Sequence, residues 1–464
     1  MNRNTLWSLR LGFSGKHSDA IGKKGLEKFL SDSFSASYDK SGPKCLDDDP
    51  KTLAEFQQYR QRIKDSASEE NKKALRRQLR NALELRVWWL DKMTSSEFPL
   101  REKMTVFWHN HFVASAQKVK MNWWIYQHNA ILRQHAFGNL KTLTKAILKS
   151  NAMVRYLDNT DNRVGKINEN LSRELLELFT IGIGNYSEDD IKNGAKALAG
   201  LHLGNDSAVY RPKFEDNEVI VYFGKSGKFK ADDLVDIIFD QPNAPYHITR
   251  KILKWFIYDN PDEKLVKYYG DFLRESNFEL KPFLTKIFTE EFAKDSAGSK
   301  IKDPLTYVLQ LWDELKIKRK PSYAVAVFLR QQGMDLFNQP NVKGWDGGRS
   351  WLTSQIFLQR NTVADALCAG KNINRGKPKE LMDENETPDK ETRLDIELNF
   401  PKNGDNLEII SALTDRLLFT TDKNLQDDFE KLLKYDFDPK SPGAENTVLR
   451  LFNDMVKTPE FQLI

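Results

Sequence analysis

Apolar residues recur at three- and four-residue spacing through almost the whole chain, and this period restricts the fold to packed helices more than any other feature does. Residues 20–34 read as a first helix. Thr52–Met93 holds one or two long charged helices that end in the apolar run Val87-Trp88-Trp89-Leu90, and Pro99 stands near the start of the next, where proline is tolerated. Similar patterns continue to residue 455. One stretch departs from them: Ser207–Phe223 alternates, with Val219, Val221 and Phe223 on one side, as a short β-ribbon does. The expected fold is all-α, a multi-helix array with one short β-ribbon near residues 207–223. Asn372–Asn406 is rich in Lys, Glu, Asp, Asn and Pro and poor in large apolar residues. It reads as a polar connection or insertion (372–406) between a main helical body (1–371) and a C-terminal helical segment (407–464) packing on that body. No repeat of solenoid period is visible.

Composition excludes several classes. The net charge of +5 is a small difference between 71 basic and 66 acidic residues, so no nucleic-acid partner is expected. The densest basic run, Lys72–Arg80, is flanked by Glu69, Glu70 and Glu84 and reads as a solvated helix face. No apolar run approaches the roughly 20 residues of a membrane span. Arg10, Ser14 and Lys16 interrupt any leader-like stretch, which points to the cytoplasm, although a chain trimmed of a leader would read the same. Two cysteines, Cys45 and Cys368, are too few for a disulfide framework or a thiolate metal site.

Three segments carry polar chemistry. In Phe107-Trp108-His109-Asn110-His111-Phe112, a helix would put Met104, Phe107, Trp108 and His111 on one face. His111 then points inward, while His109 lies about 200° away, interfacial rather than in the core. Such a pair does not chelate one ion on an undistorted helix, so no metal ligand is assigned. Each histidine remains a candidate acid, base or polar anchor.

The second segment is Asn168–Thr180. Asn168 is a good N-cap, and Leu171, Leu175 and Leu178 form a buried stripe. Glu169, Arg173 and Glu177 repeat at i, i+4 and i+8, an ion-pair ladder. In solvent such a ladder only supports the helix; in a cleft, with Glu174 beside it, it would hold a carboxylate for acid–base work. Gly182 follows as the left-handed residue that ends the helix, and Ser187 with Asp190 makes a capping box for the next. The third segment, Phe337–Trp351, reads as a structured loop running into a helix. Trp345, Arg349 and Trp351 in it offer flat apolar faces and a planar donor fork, suited to a sugar or a carboxylated ligand.

Leu100–Phe112 (LREKMTVFWHNHF), Met153–Asn159 (MVRYLDN), Asn168–Tyr186 (NENLSRELLELFTIGIGNY) and Phe337–Trp351 (FNQPNVKGWDGGRSW) together resemble the bacterial family called domain of unknown function 1800. Leu9–Ser14 and the closing PEFQL fit as well. The resemblance implies a helical bacterial protein of no known reaction. It also implies a partner: relatives often accompany a second family related to sulfatases and phosphatases, which hints at envelope or polysaccharide work by association. Where relatives have His-Asp and then Gly-x-Lys, this chain has Glu215-Asp216 and then Glu218-Val219-Ile220; Asp216 is retained.

Two classes of function follow. The first is an enzyme, a hydrolase or lyase acting on a glycan or other polar, envelope-related substrate. Its acid or base would be His109 or His111, its carboxylate Glu169, Glu174 or Glu177, its charge clamp Arg173, and its stacking platform Trp345. The second is a non-catalytic helical scaffold or binding partner of the co-occurring sulfatase/phosphatase-like protein. A haem or metal protein is a third and weaker reading, and the sequence assigns no cofactor.

Overall fold

The computed structural model describes residues 1–64, 68–318, 323–373 and 393–464. Among them it forms 22 α-helices and two short antiparallel ribbons around one continuous apolar cluster. The helix Leu100–His111 runs through the middle, packed against Leu26–Ser35, Glu69–Ser95 and Asn122–Gln134. All its residues except Arg101 and Asn110 are buried. A helix buried on all sides must find partners for its charges. Glu102 meets Arg133 in a two-point ion pair (2.7 and 2.9 Å) and also accepts from Trp89 Nε1 at 2.8 Å. Lys103 Nζ reaches Asp303 Oδ2 at 3.1 Å and Thr306 Oγ1 at 2.7 Å.

This all-round burial corrects the expected placement of His109. The sequence period assigns one inward and one interfacial histidine, yet His109 and His111 are both buried, at 0% and 2% exposure. Helix geometry holds, and the two rings do point apart; a second layer of helices and the loop at 337 cover the far side.

Segment Asn168–Thr180 is also more divided than expected. An α-helix spans Asn170–Glu174, and Leu175–Thr180 continues as a π-helix. The Asn168 side chain accepts from Asn170 N, one position from the expected cap. Gly182 takes the left-handed conformation (φ 83°), and Ser187 and Asp190 form the expected capping box.

The β structure is two ribbons rather than one, Leu201–His202 with Val209–Tyr210 and Ile220–Tyr222 with Lys225–Gly227. Val219 and Val221 share the solvent face, while Ile220 and Tyr222 turn inward onto the helix Glu188–Ala197. The middle of the polar connection, 374–392, lies outside the described residues. The C-terminal helix Ala444–Val456 packs on Ser354–Cys368, and Ile464 exchanges both backbone hydrogen bonds with Lys300 (3.0 and 2.8 Å).

Candidate functional site

Two of the segments singled out in the sequence lock onto each other at the C-terminal end of the central helix. Gln339 Nε2 donates to His109 O at 3.0 Å, capping a carbonyl that the helix leaves open. The Asn110 amide accepts from Trp345 N at 2.6 Å and donates to Trp345 O at 3.4 Å, as a peptide group would. Gly344 sits in this contact at φ 88°. A Cβ there would lie 2.5 Å from Asn110 O and closer still to Asn110 Oδ1, so only glycine fits.

Between this loop, the central helix and the helix Ala244–Phe256 is a cavity of about 180 Å³. Phe107, Trp255, Trp345 and Trp351 give it aromatic walls, and the charged lining is four lysines (Lys251, Lys254, Lys300, Lys343) against two aspartates (Asp259, Asp346). Among the described residues, Lys254 and Lys343 have no ion-pair partner. Lys300 lies 3.7 Å from Asp259 Oδ1, within ion-pair range but too long for a hydrogen bond. Burial, opposed by Asp259, lowers the Lys300 pKa to about 8. The buried indole N–H groups of Trp255 and Trp345 also lack partners. An unmet buried donor costs roughly 1–3 kcal/mol.

The π-helix ends against two of the lining residues, His111 and Lys251. Its Leu178 carbonyl accepts from His247 Nε2 (2.9 Å) and Lys251 Nζ (3.1 Å), and Phe179 O accepts from His111 Nε2 (3.0 Å). Carbonyl acceptors require N–H at both imidazole Nε2 atoms. His111 Nδ1 is therefore an acceptor, and Lys251 Nζ donates to it at 3.3 Å. These three side chains close the carbonyls that a helix end leaves open, which is a structural role in its own right. Burial first, and then the charge of Lys254, lowers Lys251 to about 8. Burial and then Lys251 hold His111 well below its usual value.

Residues backing the cavity are anchored from both chain ends. Arg10, buried in the first helix, donates to Ser296 Oγ and O, Ser299 Oγ and Ile257 O, fixing the backbone beside Asp259 and Lys300. The C-terminal Ile464 holds Lys300 from the other side.

Of the residues singled out in the sequence, His111, Trp345 and Trp351 line the cavity; Trp345 and Trp351 are buried, and Arg349 is exposed outside it. His109 packs at tilted and edge-on angles among Trp89, His128 and Phe337 with neither ring nitrogen partnered, held neutral chiefly by burial. The ladder forms on the outside: Arg173, one-third exposed, is shared by Glu169 (3.1 Å), Glu177 (3.4 Å) and Glu188 (3.0 Å). Such exposed pairs contribute about 0.3–0.5 kcal/mol each. Burial, and then Glu177, raises the pKa of Glu174, with Arg173 and Lys343 opposing. Asp216 accepts from Glu218 N in the turn before the second ribbon and does not line the cavity. Residue-level reading missed Lys251, His247, Trp255 and Lys300. The first three stand at i, i+4 and i+8 on one helix face (His247, Lys251, Trp255), a signal that was visible in the sequence.

The histidines make the fold acid-sensitive. His128 and His247 are both lowered to about 4, chiefly by burial, from 6.5 in the unfolded chain. Between those values the unfolded chain binds protons that the fold does not, so stability falls as pH drops from 6.5 towards 4. The melting temperature is expected to decline across that window; a flat profile would contradict the buried neutral histidines.

Fold and site together define a predominantly helical protein with a cationic, aromatic-walled cavity. The chain belongs to the family described as "Protein of unknown function (DUF1800)", whose model matches residues 5–463. No curated protein and no solved structure matches it. No helix among the described residues is long and apolar enough to cross a membrane. None of the described His, Cys, Asp and Glu residues form a group of three or more that would hold a metal ion.

Proposed function

We propose that the protein is an enzyme of the lyase or hydrolase type, acting on a small anionic group such as an acidic sugar or another organic acid. The observation that carries this reading is the Lys251 amine, held between His111 Nδ1 and Leu178 O in the wall of a cavity with three further lysines. Lys254 and Lys343 supply positive charge for a carboxylate, sulfate or phosphate. Trp345 and Trp255 offer apolar faces beside it. A volume of about 180 Å³ lies below the usual range for drug-sized ligands, which fits a small acid or the end of a longer chain. Lys251, lowered to about 8, exchanges protons in the range where a general base is effective. Lys251 thus takes the acid–base role with His111 holding it in place, and the ladder around Arg173 supports the fold.

Titration calorimetry with sulfate, phosphate and glucuronate tests the reading, with a neutral methyl glucoside as control. Saturable binding of the anions is expected, weakened about tenfold by Lys343→Met, which removes an exposed charge (about 1.4 kcal/mol). No anion binding, or binding indifferent to Lys343→Met, would sink it. A second reading, a helical partner for the co-occurring sulfatase/phosphatase-like protein, has one observation in its favour. Leu75 and Leu79, half exposed, border a groove of about 750 Å³ with Phe56, Leu83 and Val327. Absence of anion binding together with co-purification of that protein would favour this alternative.

A further inference from the structure

We propose that Lys251 forms a reversible imine with a small 2-oxo acid held in the cavity, the lysine acting as nucleophile and not only as base. The inference rests on the anion-binding reading of the same cavity and adds a substrate class and a covalent step.

Stereochemistry is the starting point. A neutral amine has two N–H bonds and one lone pair. Lys251 Nζ has two acceptors, Leu178 O at 3.1 Å and His111 Nδ1 at 3.3 Å. Both are acceptors only: the first is a carbonyl, and His111 Nε2 carries the ring proton because it faces Phe179 O. Together they occupy both N–H bonds of the neutral amine and leave its lone pair as the unassigned direction. A protonated amine in the same place would need a third acceptor, and no carboxylate is paired with Lys251 among the described residues. Aromatic walls and a second cation nearby, Lys254, both favour the uncharged amine, as they do for nucleophilic lysines generally.

The surroundings select the electrophile. A carbonyl is required for the covalent step, and the positive lining requires an anion. Lys254 lies three positions beyond Lys251 on the same helix, and Lys343 is on the loop that lines the same cavity, so a carboxylate is recognised next to the reacting carbon. The small volume excludes a bulky acid from entering whole. A 2-oxo acid carries the two groups on adjacent carbons.

The step balances without a co-reactant. Nitrogen attacks the carbonyl carbon, the C=O π electrons move to oxygen, and the first nitrogen proton passes to that oxygen to give a carbinolamine. Nitrogen then loses its second proton as the hydroxyl leaves with a proton as water. The net change is one ketone plus one primary amine to one imine plus water. His111 and Leu178 O hold the amine during attack, and His111 is the positioning residue.

Reductive trapping tests this directly. The full chain is incubated with pyruvate and cyanoborohydride and analysed by intact mass and peptide mapping, with sulfate binding measured on the same preparation. The expected result is one saturable adduct per chain, on Lys251, suppressed by sulfate. Lys251→Gln removes the nucleophile and keeps an uncharged side chain with two N–H donors for Leu178 O and His111. It should stay folded, with a cooperative melting transition, and give no adduct. Intact sulfate binding with no adduct overturns the imine and leaves the anion site standing. An adduct on Lys254 or Lys343, or spread over surface lysines, also overturns the assignment. Loss of both sulfate binding and adduct in the unaltered protein removes the reading on which the inference rests.

Discussion

Glu102→Leu is expected to cost about 3–5 kcal/mol of folding stability, a large part of the roughly 5–15 kcal/mol that holds a typical domain together. Glu102 and Arg133 are both almost fully buried, and the carboxylate also takes the Trp89 indole N–H. Removing it strands a guanidinium left with a hydrogen bond to Asn129 Oδ1 at 2.6 Å and the face of Trp88. The ion pair itself need not be a net gain, because both charges were stripped of water to form it. The double variant Glu102→Leu with Arg133→Met should therefore recover most of the loss. Urea unfolding of the two single variants and the double variant at pH 7.5 measures the coupling. A single-variant loss under about 1 kcal/mol would mean that water reaches the pair.

Gly344→Ala is expected to displace the loop that carries Trp345 and to weaken anion binding more than tenfold, with a smaller effect on global unfolding. Two costs combine there. A left-handed conformation costs a non-glycine residue roughly 1–3 kcal/mol, and the new methyl overlaps both oxygens of Asn110. Gly184→Ala separates them, since Gly184 has nearly the same φ of 85° and nothing within 4 Å of an added Cβ. Hydrogen exchange over residues 340–351 should rise in Gly344→Ala and not in Gly184→Ala. Equal behaviour of the two variants would show that the Asn110 contact does not hold the loop.

Legibility in the sequence differed by the range of the interaction. The helices were readable because each is written locally, in apolar period, caps and glycine stops. The inward turn of His111, the Gly182 terminus and the Ser187–Asp190 box needed only nearest neighbours, and each appears as expected. The cavity was half readable. His111, Trp345 and Trp351 stood out as unusual residues in recognisable segments, and all three line it. Lys251, Lys254 and Lys300 stood out less, because lysine on an amphipathic helix or in a loop ordinarily faces water.

The chain's own period determined that this is a helical array and which faces of its helices are apolar, with no helix among the described residues long and apolar enough to cross a membrane. Tertiary structure decided what those faces meet. Helix period fixes only the angle between His109 and His111; the layer of helices and the 337–345 loop on the far side buried both. The Glu169–Arg173–Glu177 ladder has the same spacing on a solvated surface as in a cleft, and only the path of the chain placed it outside. The π-helix, whose carbonyls take donors from two other helices, and the convergence of lysines from three separate segments depend on contacts between residues far apart in sequence. Such contacts leave no periodic trace, because the free energy that sets them comes from burial and desolvation after the helices have packed.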